Sequence, residues 1–291
     1  MQNMLILESI CLYQMTTEHN CKTCNEPLRG AYCHVCGEKR LMPSDRSFKV
    51  WLQETLSNFV QFDGKVIKTL VALITRPVRL ASDYFEGRRR PYLRMINLFF
   101  IANLLYFLTS GLQTFKTSLY VQMNDQPYSA YVLRVVENYL EREELDINEF
   151  KQVYDAKTLE VSKLMLVLLV VLLGFVVYLL FAKQLYLSDA LNLALQFWSA
   201  YILMFILPFS LIIVVGRATG SLQWLSSNLF SELTLSIATF AFSGVYLWLI
   251  LRRFSKSIWL HFGKIVAILA SFFFVFVIYR AVLFLITWLL V

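Results

Sequence analysis

Long, nearly unbroken apolar blocks alternate with shorter polar intervals along this chain, and the length of the blocks is the first clue to its class. About 20 mostly apolar residues are needed to cross roughly 30 Å of hydrocarbon as a helix. Five blocks qualify, at 94–112, 164–182, 190–215, 229–251 and 265–291. The third contains Pro208, which removes a backbone hydrogen bond and predicts a kink, and the fifth is interrupted by Arg280. The pattern predicts a mainly α, integral membrane protein with a five-helix transmembrane bundle.

Two intervals are helical in period but not in length. Within 113–163, Val132, Val135, Val136, Tyr139 and Leu140 recur at helical spacing and Leu145, Phe150, Val153 and Tyr154 continue the pattern, predicting a helical loop with two helices. Within 47–93, Phe48, Trp51, Leu52, Leu56, Phe59 and Val60 form one stripe. Asp63 is placed to cap a helix over 64–75 whose apolar side carries Val66, Ile67, Leu70, Val71 and Ile74. Pro77 then starts a short helix that stops at Gly87. These read as cytoplasmic amphipathic helices at the inner membrane interface, with Arg76, Arg79 and Arg88 to Arg90 near anionic headgroups. A small cytosolic domain packed on the bundle is the competing picture. Residues 1–17 read as a disordered tail.

Composition agrees: 58% of the 291 residues are hydrophobic and 16% charged, which excludes an ordinary soluble domain. The net charge of +7 changes meaning once it is located. Residues 1–94 hold 14 Lys/Arg against 9 Asp/Glu, residues 113–163 hold 6 against 9, and residues 183–280 hold 7 against 2. Arg88, Arg89, Arg90 and Arg94 flank the first block, and Arg252, Arg253, Lys256 and Lys264 lie between the fourth and fifth. By the positive-inside rule both flanks are cytoplasmic. The N-terminus is then cytoplasmic, 113–163 external, and the C-terminus external.

Four of the five cysteines fall within residues 18–40: Cys21-x2-Cys24 and Cys33-x2-Cys36, eight residues apart, with Gly30 in the link and Gly37 after the second pair. Four thiolates suit a tetrahedral, structural Zn2+, whose binding would supply the folding energy of a segment too short for a core. Rubredoxin-like iron uses the same ligands, and thiol redox chemistry lacks its usual α/β context here. A site filled by four cysteines has no open position for a substrate. His19 and His34 are expected to be exposed, and Cys11 a bystander.

The string YCHVCGEKR, followed by FDGKVIKTLVALITRPVRLASDYFEGRRRPYLRMINLFFIANLLYF, resembles an uncharacterised family of bacterial inner-membrane proteins with an N-terminal zinc ribbon, known only as a domain of unknown function. The resemblance spans roughly residues 20–110 and rests on Phe62-Asp63, Thr69-Leu70, Arg76-Pro77, Tyr84, Gly87-Arg88 and Tyr92 in that order. It implies location and zinc binding, and no activity. Relatives carry histidines in a later membrane segment; the matching stretch, Tyr186 to Trp198, has Asp189, Gln196 and Trp198 in their places, so histidine chemistry is not implied for this chain.

Ionisable and polar residues inside apolar blocks are costly and therefore candidates for function. Asp189, Gln196, Glu232 and Arg280 are the set a polar pathway would use. Plainer roles are a helix-terminal carboxylate for Asp189, interhelical hydrogen bonds for Gln196, and outer-surface snorkelling for Glu232 and Arg280. No nucleophile–base pair, phosphate loop or second metal site emerges, so the chain is expected not to be an enzyme. The expected function is docking or sensing, with the lipid bilayer, a cytoplasmic protein or a second copy as partner; the alternative is a transporter or channel. Residues 18–40 carry a net charge of +1 and one aromatic, Tyr32, so nucleic acid is not an expected partner.

Overall fold

The computed structural model describes residues 20–40, 45, 47, 49, 64–108, 115–219, 232–255 and 257–291. The expected tail at 1–17, the stripe from Trp51 to Val60, the cap Asp63 and His19 lie outside these residues. The chain forms two compact units, Met1–Arg94 and Met95–Val291.

Among its described residues, the first unit contains the cysteine segment, two helices and an irregular strap. Helix α1 spans Lys65–Thr75 and α2 spans Pro77–Glu86, with Pro77 at the first helical position, where its missing N–H costs nothing. Gly87 ends α2 in the left-handed conformation (φ 92°), and the Arg88 amide bonds back to the Asp83 carbonyl at 2.7 Å. The core is small: Leu73, Leu80, Ala81, Tyr84 and Leu93.

Side chains do the remaining work. Thr69 Oγ1 accepts from the Leu93 amide at 2.7 Å while donating to the Lys65 carbonyl, and the buried Tyr84 hydroxyl donates to the Leu93 carbonyl. Both backbone groups of Leu93 are thus satisfied by the two helices, which straps residues 87–94 onto them. Buried Asp83 accepts from Tyr92 Oη at 2.8 Å and pairs with Arg88 at 3.5 Å and Arg79 at 3.8 Å. Removing the hydroxyl in Tyr84→Phe strands a buried carbonyl, an expected loss of about 1–3 kcal/mol. Faster hydrogen exchange at the Leu93 amide is the measurement that checks it.

Among its described residues, the regular structure of the second unit is all helical. Its helices are α3 (Met95–Leu108), α4 (Leu119–Asn124), α5 (Ser129–Glu143), α6 (Ile147–Leu164), α7 (Leu166–Phe181), α8 (Leu187–Ala200), a π-helical turn at Tyr201–Ile206, α9 (Leu207–Thr219), α10 (Glu232–Leu251) and α11 (Ile258–Leu290). Helix α8 is central: twelve of its fourteen residues are buried. It packs chiefly on α7 and α3, where Gly174 permits close approach, since a Cβ there would lie 3.3 Å from Leu191 Cα. Buried His261 bonds the Trp248 carbonyl at 3.0 Å and Ser255 Oγ at 3.1 Å, lashing the α10–α11 turn.

Three helical segments are long and apolar enough to cross a membrane, namely Leu187–Gly216, Thr234–Phe254 and Ile258–Leu290. A fourth results if α6 and α7, bent by 50° at Met165, count as one span. The protein is therefore multi-pass by this measure. The block at 94–112 contributes a 14-residue apolar helix, α3, whose continuation lies outside the described residues.

The polar interval differs from its reading in two ways. It holds three helices rather than two, because the six-residue α4 is too short to show a period. It also shares a core with the end of the chain: Leu119, Val132, Val136, Phe150 and Tyr154 pack with Phe284 and Trp288 of α11. Helix α11 begins at Ile258, not 265, and runs for 33 residues, unbroken at Arg280. At 1.5 Å per residue that is ~50 Å, well beyond a ~30 Å hydrocarbon core.

Candidate metal centre

The two cysteine pairs are copies of one local design. CKTCNE at 21–26 and CHVCGE at 33–38 are offset by twelve residues, and the backbone bonds that close each cysteine turn repeat with that offset. The amides of Asn25 and Gly37 donate to the carbonyls of Cys21 and Cys33 at 2.8 and 2.7 Å, and the amides of Cys21 and Cys33 donate to the carbonyls of Glu26 and Glu38 at 2.8 Å each. Single antiparallel bridges, Asn20 with Pro27 and Tyr32 with Lys39, close each turn. The turn requires a left-handed residue after the second cysteine, and Asn25 (φ 63°) and Gly37 (φ 67°) supply it. This repeat escaped the sequence reading. Its signal was the Asn/Gly-Glu that follows each pair.

The two turns bring all four thiols together, with every Sγ within 4.8 Å of the others. The closest pairs cross between turns, Cys21–Cys36 at 3.4 Å and Cys24–Cys33 at 3.5 Å. A tetrahedron with bonds of about 2.3 Å has edges of roughly 3.8 Å. The sulfur spacings bracket that value, so the residues fit a four-thiolate metal ion. Amides of Cys36 and Val35 donate toward Cys33 Sγ and hold its thiol down to about 6, whereas burial pushes Cys36 up to about 12. Only a cation among the sulfurs lets all four ionise together. His34 is exposed and outside the set.

Glu38 connects this centre to the strap. Its buried carboxylate accepts, on Oε2, from Thr23 Oγ1 at 2.7 Å in the first turn and from the Arg90 amide at 3.0 Å. The Arg90 guanidinium lies across Gly37, where a Cβ would come within 1.8 Å of Nη1. Thr23 and Glu38 were not distinguishable in the sequence from solvated loop residues, and Arg90 was read there as a headgroup contact. Glu38→Ala would remove the charged acceptor of the Arg90 amide, a loss of about 1–3 kcal/mol. The metal is expected to stay bound but to pass several-fold faster to a competing chelator, which absorbance of the chelate follows.

The polar residues of the bundle do not converge among the described residues. Gln196 is buried on α8 and donates to Tyr246 Oη at 3.2 Å. Asp189 is buried in the first turn of α8, two positions inside it, and the N-cap is Tyr186. Lys264 Nζ sits 3.9 Å from the ring centre of Phe181, which places the start of α11 at the Asp189 end of α8. Arg280 lies sixteen residues further along α11, or ~24 Å. Its carbonyl accepts from Gln122 Nε2 at 3.1 Å, beside the loop helices. Glu232 opens α10, and its side chain lies outside the described residues.

A protein family described as "Protein of unknown function (DUF3667)" matches residues 63–107. No curated protein and no solved structure matches the chain. The matched stretch contains α1, α2, the strap and α3, and so includes Thr69, Asp83, Tyr84, Gly87 and Tyr92, the residues that bind the strap to its helices.

Proposed function

We propose that the chain is an inner-membrane protein whose N-terminal unit is a cytoplasmic docking or sensing module without catalytic activity, built on a structural zinc site. The observation that carries this reading is the Glu38 bridge. A metal centre with all four positions taken by cysteine has no place for a substrate, but it is fixed through Glu38 to a strap whose last residue, Arg94, leads directly into α3. A partner binding the knuckle would load the strap and hence the base of the first membrane helix.

In this reading α3, α7, α8–α9, α10 and α11 make five crossings. Basic flanks hold the N-terminus inside, and the helical interval at 115–164 is external. The experiment is affinity capture from native membranes, with metal analysis of the same sample, comparing the natural chain with Cys33→Ser/Cys36→Ser. Loss of a specific cytoplasmic partner along with zinc supports docking. Unchanged capture removes it.

A transport role has one observation in its favour: the π-helical turn at Tyr201–Ile206 that follows the buried α8, a feature frequent at functional sites. Reconstituted vesicles would then show a flux that Asp189→Asn or Glu232→Gln reduces.

A further inference from the structure

Helix α1 is amphipathic in an unusual sense. Its inward face carries Thr69 and Leu73, both buried, while Ile67, Val71 and Ile74 on the opposite face are 70%, 53% and 56% exposed. Val78, at the start of α2, is exposed too. Three large aliphatic side chains at i, i+4 and i+7 make a continuous apolar stripe, which a solvated helix does not maintain. The helix is 11 residues, or ~16 Å, about half the thickness of a bilayer core, so the stripe is not part of a span.

The charge on α1 itself is of one sign. Helix α1 contains two lysines and no acid, and the exposed Lys68 and Arg76 lie at the border of the stripe, with Arg79 beyond them. The nearby carboxylate, Asp83, is turned inward to Tyr92 and Arg88. The Arg90 guanidinium lies against Gly37. The chain also runs from Arg94 straight into the apolar α3, which tethers this unit within a few residues of the bilayer.

We propose that α1 is a membrane-seated foot: Ile67, Val71, Ile74 and Val78 insert into the interfacial layer of the bilayer, and Lys68 and Arg76 engage anionic phospholipid headgroups. Aliphatic insertion with a basic border is the chemistry of an interfacial helix. The opposite face of the same helix holds the strap through Thr69, so seating the foot fixes the strap, and with it Glu38 and the metal centre, relative to the membrane surface. This rests on the membrane reading of the chain and adds to it the face that meets lipid.

The test uses the full-length protein with a photo-reactive benzoylphenylalanine in place of Val71, reconstituted into vesicles of phosphatidylcholine with phosphatidylglycerol. Irradiation is expected to give a phospholipid adduct at position 71, and none when the same group replaces Glu141 on the solvated face of α5. An adduct with residues 48–60 of the same chain, with a second copy, or with no molecule at all overturns the proposal. Lys68→Glu/Arg76→Glu is expected to lower the lipid adduct at least about fivefold in anionic vesicles and to leave it unchanged in phosphatidylcholine alone. An undiminished adduct overturns the anionic assignment. Zinc content of each preparation reports folding, and partner capture is read separately, so the foot and the docking role fail independently.

Discussion

Replacing Cys33 and Cys36 together by serine is expected to abolish metal binding, with zinc falling from about one ion per chain to background. Serine hydroxyls do not ionise near neutral pH and cannot stand in for thiolates. The structural consequence follows from magnitudes. Structural Zn2+ contributes about 10–16 kcal/mol in peptides of this size, as much as the whole stability of an ordinary domain. Against that, the only buried residues of the knuckle, among those described, are Cys21, Cys33 and Glu38. Residues 20–40 should therefore lose all exchange protection. The strap should survive in part, because Thr69 and Tyr84 still hold Leu93 after the Glu38 tie is gone. Membrane insertion should be unaffected, which a protease-protection assay on the spans checks. Near-stoichiometric metal in the double variant would sink the four-thiolate centre, and the same elemental analysis separates zinc from iron.

What the sequence disclosed, and what it withheld, divides along physical lines. Two CxxC pairs were readable because few other chemistries ask for four thiols within sixteen residues. The limits of α2 were readable because Pro77 and Gly87 act through their own backbone geometry, independent of neighbours. Asn25 and Glu38 were not, since an asparagine in a turn and a glutamate in a loop acquire meaning only from the partner that folds against them. The bundle was readable as apolar length but not as a count of crossings. Hydropathy scores a residue facing lipid and one facing a protein core alike, and nothing in the run from Ile258 to Leu290 marks where one environment gives way to the other.

That ambiguity sets up the second large effect. Phe284 is buried in the core shared with α4, α5 and α6, its ring 6.2 Å from Tyr154 and 5.7 Å from Trp288. Trp288 in turn meets Tyr139 and Phe150, and Thr287 bonds Thr158 at 3.3 Å. Truncation in Phe284→Ala should cost about 3–5 kcal/mol and leave a cavity that the small helical layer cannot close. Hydrogen exchange in peptides covering 129–164 should accelerate by roughly two to three orders of magnitude if that layer opens as a unit. Peptides from α8 should not change, since α8 rests on α3 and α7. The control is Phe274→Ala, ten residues earlier on the same helix, where the ring is 66% exposed and faces away from the protein. Its loss should barely alter exchange anywhere. Equal responses from the two variants would mean that the last turns of α11 belong to the lipid-facing span after all. The predicted contrast instead makes this helix a membrane crossing over its first part and the central post of the 115–164 layer over its last. Arg280 then sits where the one becomes the other, which accounts for a charged residue inside an otherwise apolar run without any pathway through the bundle.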